Sequence, residues 1–572
     1  MPNTGVGVTV IRKEANDKVT GCAKYTDDFR TVGTLTAWIV TSTCAHGKIK
    51  KIDSDSAAAL PGVRAILTGE GCPLAGSLLE DRPPLARRTV RYYGEPVAIV
   101  VADTEKTAAQ AAFLIQAEYE PLPVLNSPSE SLRPGAALVH EDLGSYKKMV
   151  TNIFPEPGTN ICDRKQIRKG DVQQGFAESA VVVEGHFTLP QSDHIAMETR
   201  AVQAKIDAGG TVFIRSSSQS PHAVKKEVST VFGLDEGKVV VEVPFVGGSF
   251  GGKAPIQLEL LAYMASRAVG GREVRILNSR ENDMVTSPCK LGLEATIKMG
   301  ADRDGTIKAI QMTYLVDTGA YADIGPRLTK AIAADCTGPY HIENVWCDAL
   351  CVYTNHPYAT SFRGFGHASY TFCVERVIDK LSRALQIDPA LIREKNALQP
   401  GMLTPTQVKV TASNFGNLAA CITQLKQMIG WSEGERLEIG GDKVRAKGDR
   451  LFLEDLQFAH RRRFRRPFDV QRGRQHQFEL RLRGIRTGDE NHARPDSLGK
   501  AEDGHRPHFC KYGREYAVQP QALEDGCQHD DLFGRERRAA RGGGHHSAAE
   551  RPCGRGTAVS PGKSGSSPRN GL

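Results

Sequence analysis

With 572 residues, 40% of them hydrophobic and 24% charged, the chain has the composition of a soluble globular protein and enough length for two to four domains. No stretch approaches the roughly 20 apolar residues of a membrane span, and the first residues lack the apolar segment of a signal peptide, so we expect a cytoplasmic protein that does not enter a membrane. The net charge of +8 belongs to the C-terminal region, since residues 1–448 hold 50 Lys and Arg against 49 Asp and Glu. The 13 cysteines show no spacing typical of a zinc or iron–sulfur site, which favours free thiols.

The first part of the chain alternates short predicted strands and helices. The β-branched run EPVAIVVAD (95–103) predicts a buried strand, and the periodicity of the next residues predicts a helix with Thr104 as its N-cap. The segment 121–142 is rich in Pro and Ser, which is typical of a linker.

A strand, a glycine-rich loop and a helix follow one another in the middle of the chain. The segment KVVVEVPFV (238–246) predicts the strand, GGSFGGK (247–253) forms the loop, and residues 255–269 have helical periodicity. Pro255 suits the first helical turn, where its missing N–H has no intrahelical partner to lose.

The elements after this loop mix strands and helices without a strict β-α-β rhythm. Residues 306–321 predict a strand, and residues 371–386 predict an amphipathic helix. A further helix is predicted to begin with Asp388 as its cap and Pro389 in its first position. We therefore expect an α+β fold rather than a doubly wound sheet.

The loop GGSFGGK permits more than one interpretation. Glycines let the backbone curl around an anion, and a following helix N-terminus adds positive potential. The loop nearly fits the phosphate-binding pattern G-x-x-x-x-G-K-S/T with Gly247, Gly252 and Lys253, but Ala254 replaces the hydroxyl residue that would hold Mg²⁺. A P-loop-like nucleotide-binding protein and a tight turn without a ligand both remain alternatives.

Seven ordered segments, however, together resemble the molybdenum hydroxylases, the xanthine dehydrogenase/aldehyde oxidase family. The resemblance covers roughly residues 17–430. Its segments are KVTGCAKYTDDF (18–29), YYGEPVAIVVAD (92–103), HIAMETRAVQA (194–204), SSSQSPH (216–222), GGSFGGK (247–253), DTGAYADIGP (317–326) and TNHPYATSFRGFGHASYTFCVERVIDKLSRAL (354–385).

The resemblance implies how the chain is divided into domains. Residues 1–140 are expected to form an α/β hammerhead domain with its linker, and residues 141–400 the first molybdopterin-binding domain. Residues 401–448 would be the truncated start of a second molybdopterin-binding domain. Residues 449–572 form an arginine-rich tail that we expect to have little order.

The resemblance also implies an activity. Family members hydroxylate N-heterocycles or aldehydes with oxygen derived from water. The expected cofactor is molybdenum–molybdopterin, in its cytosine dinucleotide form, and the pterin dithiolene rather than any side chain holds the metal. The iron–sulfur cysteines of the family are absent from this sequence, so the [2Fe–2S] clusters and FAD that receive the electrons are expected on partner subunits.

The family motifs carry over to particular residues. Gln219 would hydrogen-bond the apical oxo group, and the backbone at Phe250 and Gly251 would line the metal site and cradle the pterin. Arg363 would lie beside the molybdenum, whereas His194 is interpreted as a structural histidine. The implied cofactor-binding residues are Gln219, Gly247, Gly248, Phe250, Gly251, Gly252, Arg363 and Gly364.

Two departures from the family pattern bear on the substrate. Members that act on xanthine carry a glutamate directly after the G-G-K lysine, where this chain has Ala254. They also carry an arginine about thirty residues before R-G-F-G, where this chain has Ala331. Xanthine itself is therefore not the expected substrate.

The sequence changes character after Gly448. Residues 449–572 hold 21 Arg and 3 Lys, whereas residues 1–448 hold 24 Arg and 26 Lys. The family should continue with V-E-I/L-G-Q-G and, near its end, with the catalytic glutamate in G-x-G-E. Neither motif occurs in this sequence, so we assign no catalytic residue and expect the chain as given to be inactive.

A shifted reading frame would account for this change. When the tail is back-translated and read one base later, the codons permit a long family-like sequence that contains the missing VELGQGTKT. Because the third base of each codon is free, this reconstruction had latitude. The other two bases are nearly fixed, and the fit extends over about a hundred residues. We therefore interpret residues 449–572 as out-of-frame sequence.

Two other classes of function remain to be weighed. Arg461–Arg466, with Phe464 and Phe468 nearby, could neutralise phosphates and stack on bases as an arginine-rich nucleic-acid-binding arm. Acidic residues interrupt the tail and no recognised nucleic-acid-binding fold surrounds it, so no specific nucleic-acid partner is expected. The hammerhead region could alternatively act as an interaction module for flavin and iron–sulfur subunits.

Overall fold

The computed structural model describes residues 9–434, 436–439, 443–449 and 451. Of the arginine-rich tail, only Asp449 and Leu451 fall within these residues, so the predicted low order of the tail lies outside the described part of the chain. Within it, helices and strands are interspersed, and the α+β prediction is confirmed. None of the described helices combines the length and apolar character that spanning a bilayer requires.

All but two of the described strands lie within the first 360 residues. They are β1 (Leu35–Thr41), β2 (Gly47–Asp53), β3 (Val63–Thr68), β4 (Thr89–Val90), β5 (Pro96–Ala102), β6 (Gln116–Pro121), β7 (Ile161–Lys169), β8 (Val181–Leu189), β9 (Ala201–Ile206), β10 (Val212–Ser216), β11 (Val239–Glu242), β12 (Val274–Leu277), β13 (Cys289–Lys290), β14 (Gly292–Ala301), β15 (Ile307–Gly319), β16 (Asn344–Tyr353), β17 (Ala359–Thr360), β18 (Arg436–Glu438) and β19 (Val444–Ala446).

One described α-helix precedes β1, and the others lie between strands, with four of them in a row between β17 and β18. They are α1 (Ala15–Val19), α2 (Asp55–Ala58), α3 (Glu105–Leu114), α4 (Pro128–Ser131), α5 (Val172–Ala177), α6 (Pro221–Phe232), α7 (Leu258–Ala268), α8 (Arg280–Thr286), α9 (Gly325–Ala334), α10 (His367–Leu385), α11 (Pro389–Asn396), α12 (Ala412–Phe415) and α13 (Leu418–Met428).

One sheet joins the N-terminal region to the middle of the chain. Its strand order is β11-β10-β9-β12-β1-β5-β3, and β1 pairs antiparallel with β5 and parallel with β12, where Leu35 lies opposite Val274. Every residue of β5 is buried, as its β-branched sequence predicts, so this strand needs neighbours on both edges and cover on both faces. The proposed domain boundary at residue 140 therefore does not coincide with a break in hydrogen bonding.

A second sheet, with strand order β7-β16-β15-β14-β8, carries the largest apolar core. Helix α10 packs on β8 and β14 and buries Val374, Val377, Ile378 and Leu381, whose spacing of three and four residues places them on one helical face. The predicted strand at 306–321 and helix at 371–386 are thus confirmed as β15 and α10.

The local capping signals gave mixed results. Thr104 accepts a hydrogen bond from the Thr107 amide (3.1 Å), and Asp388 accepts from Ala390 (2.8 Å) and Leu391 (3.0 Å), as predicted. The prediction that Pro255 opens a helix is wrong, because α7 begins only at Leu258. Arg82 donates to the carbonyl of Ile256 at 2.7 Å. This contact holds the residues before Leu258 outside the helix.

The Pro- and Ser-rich segment 121–142 is a packed connection. Leu125 and Val139 are buried in it, and their amides donate to the side-chain oxygens of Asn355 (2.8 Å) and Asn160 (2.9 Å). The segment therefore links the two regions with a fixed path, which a composition rule for linkers does not indicate.

Candidate functional site

Four segments that are distant in sequence meet at the glycine-rich loop. They are residues 194–200, 216–219, 247–253 and 361–366. Each belongs to a motif identified in the sequence, and six of the eight proposed site residues lie in the second and third segments. The fourth segment contains Arg363 and Gly364, so the fold brings together the segments that carry all eight proposed residues.

The backbone of the glycine loop curls through left-handed conformations. The φ angles are +97° at Gly248, +52° at Phe250 and +104° at Gly251, a region that side chains other than glycine occupy at a cost. A Cβ atom on Gly251 would lie 2.3 Å from the carbonyl oxygen of Ser361, which is too close for a non-bonded contact. Gly251 is therefore required both by its conformation and by the approach of the neighbouring loop.

This curl leaves a run of backbone amides without partners. Within the part of the chain that the structure describes, the N–H groups of residues 248–251 donate to no acceptor, whereas the amides on either side do. Gly252 N donates to Ser249 O at 2.8 Å, and Gly247 N donates to the Glu198 carboxylate at 2.8 Å. Successive free amides in such a turn form a cradle for an anionic group.

Gln219 lies against this loop. Its backbone N–H donates to the carbonyl of Lys253 at 3.0 Å, and its side-chain oxygen accepts a hydrogen bond from the Ser249 hydroxyl. The first contact holds the backbone of Gln219 at the edge of the glycine loop, and the second orients its side chain. The half-buried Gln219 can therefore present its remaining amide group to a ligand held by that loop.

The loop 361–366 is joined to the glycine loop through Ser361. The Ser361 hydroxyl donates to Gly251 O at 3.2 Å, and the ring nitrogen Nε2 of His194 donates to Ser361 O at 2.7 Å. Gly364 has a φ angle of +100°, and Arg363 is exposed. The loop ends at the N-terminus of α10, where the helix adds positive potential.

His194 is more than the satisfied structural histidine that the sequence predicts. Its ring stacks on Phe362 at a centroid distance of 4.7 Å, and burial lowers its pKa to about 4, so the ring is neutral near pH 7. With Nε2–H donating to Ser361, Nδ1 is an acceptor, and no described residue donates to it. One ring nitrogen is structural, and the other is a buried acceptor at the edge of the loop.

Lys253 does not serve the role that a P-loop lysine would have. Its side chain is 3% exposed, and its ammonium group donates to the Glu198 carboxylate at 2.6 Å. The next helix begins five residues later, at Leu258, so the loop does not lead directly into a helix N-terminus. The nucleotide-binding alternative therefore loses the free lysine and the adjoining helix N-terminus, two of the features that suggested it.

Glu198 and Arg200 hold the glycine loop through hydrogen bonds and an ion pair, and the sequence analysis assigned no role to either. Glu198 contacts Gly247 and Lys253, and Arg200 donates to Gly252 O at 2.6 Å while it pairs with Asp283 at 3.1 Å. The only sequence signal for them is their place in the HIAMETR segment. Their partners are 49 or more positions away, which no local pattern reveals.

Two family models match the chain. The α/β hammerhead domain of aldehyde oxidase and xanthine dehydrogenase matches residues 20–123, and the molybdopterin cofactor-binding domain matches residues 153–397. The second match contains every proposed site residue. The site therefore lies wholly in the part of the chain that resembles a cofactor-binding domain.

Curated relatives agree with these matches. The chain is 33% identical over 408 residues to a Bacillus subtilis protein named as a probable xanthine dehydrogenase subunit, an alignment that covers 71% of this chain and 52% of the relative. It is 32% identical over 403 residues to the nicotinate dehydrogenase large molybdopterin subunit of Eubacterium barkeri, covering 69% of this chain and 90% of that relative. The chain thus spans about half the length of the first relative and nearly all of the second.

Solved structures share the fold. The quinoline 2-oxidoreductase of Pseudomonas putida aligns with a TM-score of 0.66 at 27% identity, over 75% of this chain and 54% of that one. The CO dehydrogenase of Oligotropha carboxidovorans aligns with a TM-score of 0.68 at 28% identity, over 75% and 55%. The matches to sequences and to structures point to the same group of proteins.

Proposed function

Because the chain belongs to the xanthine dehydrogenase/aldehyde oxidase family of molybdopterin-binding oxidoreductases, we propose that it is the molybdopterin-binding subunit of a molybdenum hydroxylase. The substrate would be an N-heterocycle or an aldehyde. The observation that carries the proposal is the row of four free amides at residues 248–251, next to Gln219 and the Ser361 loop.

The residues at this site fit a molybdopterin cofactor. The amide row suits a phosphate or another anionic group, and the glycines let a planar pterin approach the backbone. Gln219 offers a hydrogen-bonding amide at the edge of the loop, and Arg363 lies in the adjoining loop. When bound, the molybdenum–molybdopterin group, proposed here in its cytosine dinucleotide form, supplies oxidative hydroxylation with oxygen taken from water.

The substrate class and the partners follow from the same family membership. Ala254 and Ala331 stand where xanthine-hydroxylating members carry a glutamate and an arginine, so we propose a substrate other than xanthine. We further propose that electrons leave to [2Fe–2S] and FAD groups on partner subunits, in the cytoplasm. Both relatives described above are named as subunits, which supports a multi-subunit enzyme.

The second half of the site requires a separate proposal. The motifs V-E-I/L-G-Q-G and G-x-G-E are missing after Gly448, so the printed sequence offers no glutamate to act as the base. We propose that residues 449–572 are read out of frame and that the chain is inactive as printed. Sequencing the gene across codons 447–450 tests this, because one extra base there would shift the frame. Its absence from the gene would make the tail a sequencing error, and its presence would make the chain a disabled product.

A second arrangement is favoured by one relative. The alignment covers 90% of the Eubacterium barkeri large molybdopterin subunit, so that protein has little sequence beyond the matched region. A polypeptide of about the matched length is therefore named as a dehydrogenase subunit. On this arrangement, a separate polypeptide would supply the second molybdopterin-binding domain to this chain.

The cofactor-binding proposal is tested by a glycine variant and a matched control. Gly251→Ala would place a Cβ against Ser361 in a strained conformation, whereas Gly135→Ala adds a Cβ at φ +79° with nothing within 4 Å. We expect pterin content, measured by fluorescence after oxidative release, to fall at least about tenfold in Gly251→Ala and to stay unchanged in Gly135→Ala. Equal pterin content in the two variants would refute the assignment of this loop.

A further inference from the structure

Both ends of the glycine loop are bound by one carboxylate oxygen. Glu198 Oε2 accepts a hydrogen bond from the Gly247 amide at 2.8 Å and another from the Lys253 ammonium group at 2.6 Å. The Glu198 amide in turn donates to Gly247 O at 2.9 Å. The first and last residues of GGSFGGK are therefore held to the same point.

The pair is buried, which makes it costly to break. The Lys253 side chain is 3% exposed and that of Glu198 is 14% exposed. Burial lowers the pKa of Lys253, and the neighbouring Glu198 carboxylate opposes this shift. Removing either partner would leave the other charge without its counter-ion in a poorly solvated place.

The geometry leaves little freedom for the loop to adjust. A Cβ atom on Gly247 would lie 2.5 Å from the Glu198 Cβ atom, so the two backbones are already in close contact. Two residues further on, Arg200 holds Gly252 O at 2.6 Å. The segment 198–200 thus binds Gly247, Gly252 and Lys253, and leaves residues 248–251 between them with their amides free.

We propose that Glu198 is a positioning residue for the cofactor, because its carboxylate fixes the separation of the loop ends and so aligns the amides of residues 248–251. This inference rests on the proposed function for the identity of the ligand. The Glu198–Lys253 ion pair itself acts on the loop whether or not a ligand is bound. Lys253 then serves the loop as the counter-ion of Glu198 and does not contact the ligand.

The test compares Glu198→Ala and Glu198→Gln in the full chain. The first readout is hydrogen exchange at the bonded amides of Gly247, Gly252 and Ala254, which needs no cofactor; the Ala254 amide donates to Gly251 O at 3.2 Å. We expect exchange to rise about tenfold or more in Glu198→Ala, because the loop ends separate. In Glu198→Gln, whose amide oxygen can still accept from Gly247 and Lys253, exchange should stay within about threefold of the unmodified chain.

Asp163→Ala is the matched control for general destabilisation. Asp163 is also a buried carboxylate that pairs with a lysine, Lys165, at 2.6 Å, and it accepts a backbone hydrogen bond from Phe154 at 3.0 Å. It lies on β7, away from the glycine loop. We expect Asp163→Ala to lower the melting temperature as Glu198→Ala does while leaving loop exchange unchanged.

The second readout is pterin content, which should fall in Glu198→Ala and recover in Glu198→Gln. Equal loop exchange in Glu198→Ala and Asp163→Ala would overturn the positioning role, as would a Glu198→Gln variant with the same exchange as Glu198→Ala. Hydrogen exchange could respond as expected while the unmodified chain binds no pterin, even with a second molybdopterin-binding domain added as a separate polypeptide. In that case Glu198 does position the loop, and the proposed function fails.

Discussion

The two large sheets of the molecule bury charged groups in different ways. Beside the five-stranded sheet, Arg393 is completely buried, and it donates to the carboxylates of Glu375 at 2.7 Å and Asp379 at 2.9 Å and to Pro389 O at 3.1 Å. Beside the seven-stranded sheet, Arg82 is also buried, but its nearest carboxylate oxygen, on Glu227, is 3.9 Å away.

The difference in pairing distinguishes a structural ion-pair network, at Arg393, from the region that contains the candidate cofactor site. Near the glycine loop, Glu198 Oε1 and His194 Nδ1 are buried without a partner among the described residues. Elsewhere beside the seven-stranded sheet, burial raises the pKa of Glu227 on α6 to about 7. Buried polar groups are normally paired, so a cluster of incompletely paired groups is where a ligand or a missing surface is expected. At Arg393, in contrast, the guanidinium group contacts two carboxylates on α10 at 2.7 and 2.9 Å and so fixes α11 to α10.

The largest effect is expected when the structural network is broken. Glu375→Ala should lower the free energy of unfolding by about 3–5 kcal/mol, because it removes a carboxylate that faces a buried guanidinium group. Denaturant unfolding measures this loss. Lys395→Ala, on the same helix as Arg393, removes an exposed pair with Asp304 and should leave the midpoint unchanged. Equal effects from the two substitutions would mean that the buried network does not carry this stability.

A smaller effect, and one that depends on pH, is expected at the seven-stranded sheet. The ordinary pKa of a glutamate is near 4.5, whereas burial raises that of Glu227 to about 7. Between these two values the folded state keeps a proton that the unfolded state has released. The free energy of unfolding therefore falls as the pH rises from about 4.5 to 7. Glu227→Gln cannot ionise at this position. The difference in free energy of unfolding between this variant and the unmodified chain should therefore shift in favour of the variant by about 2 kcal/mol from pH 5 to pH 8.

The comparison isolates one group among several that titrate. Buried neutral histidines such as His194 oppose the trend at low pH, since their pKa values are lowered, but they contribute equally to both proteins. Unfolding free energies should therefore be measured for the two proteins at each pH and subtracted. A difference that does not change between pH 5 and pH 8 would show that Glu227 ionises normally in the folded chain.

The sequence predicted the locally determined features of both regions. Helical and strand periodicity located β5, β15 and α10, and short-range chemistry located the caps at Thr104 and Asp388. Family motifs placed all eight proposed site residues in segments that the fold does bring together. Their roles toward a cofactor remain predictions.

What the sequence missed depends on contacts across long chain separations. The pairing of β1 with β12 joins positions 35–37 and 274–276, and Glu198 meets Lys253 across 55 residues. Neither has a local period or turn signal. The start of α7 was missed for the same reason, because the carbonyl of Ile256 is taken by Arg82, which lies 174 residues earlier.

The smallest effect on stability is expected at the exposed edge of the site. Met197 is 91% exposed and Ile195 59% exposed, yet Arg280 donates to the carbonyls of Ala196 and Met197 and holds this segment in place. An ordered segment that presents apolar side chains to solvent is typical of a surface that another polypeptide covers. Met197→Asp should therefore change the free energy of unfolding of this chain by less than about 0.5 kcal/mol.

The same Met197→Asp substitution should weaken the binding of a polypeptide that covers this surface. When the part of the Bacillus subtilis relative that lies outside the alignment is added as a separate chain, Met197→Asp should weaken its binding at least about tenfold, because a charge would be buried in an apolar contact. Phe113→Asp is the control, since Phe113 is 88% exposed on the hammerhead region. Equal weakening by both would place the contact elsewhere, whereas loss in Met197→Asp alone would show that the cofactor-binding face, and not the hammerhead region, binds the added chain.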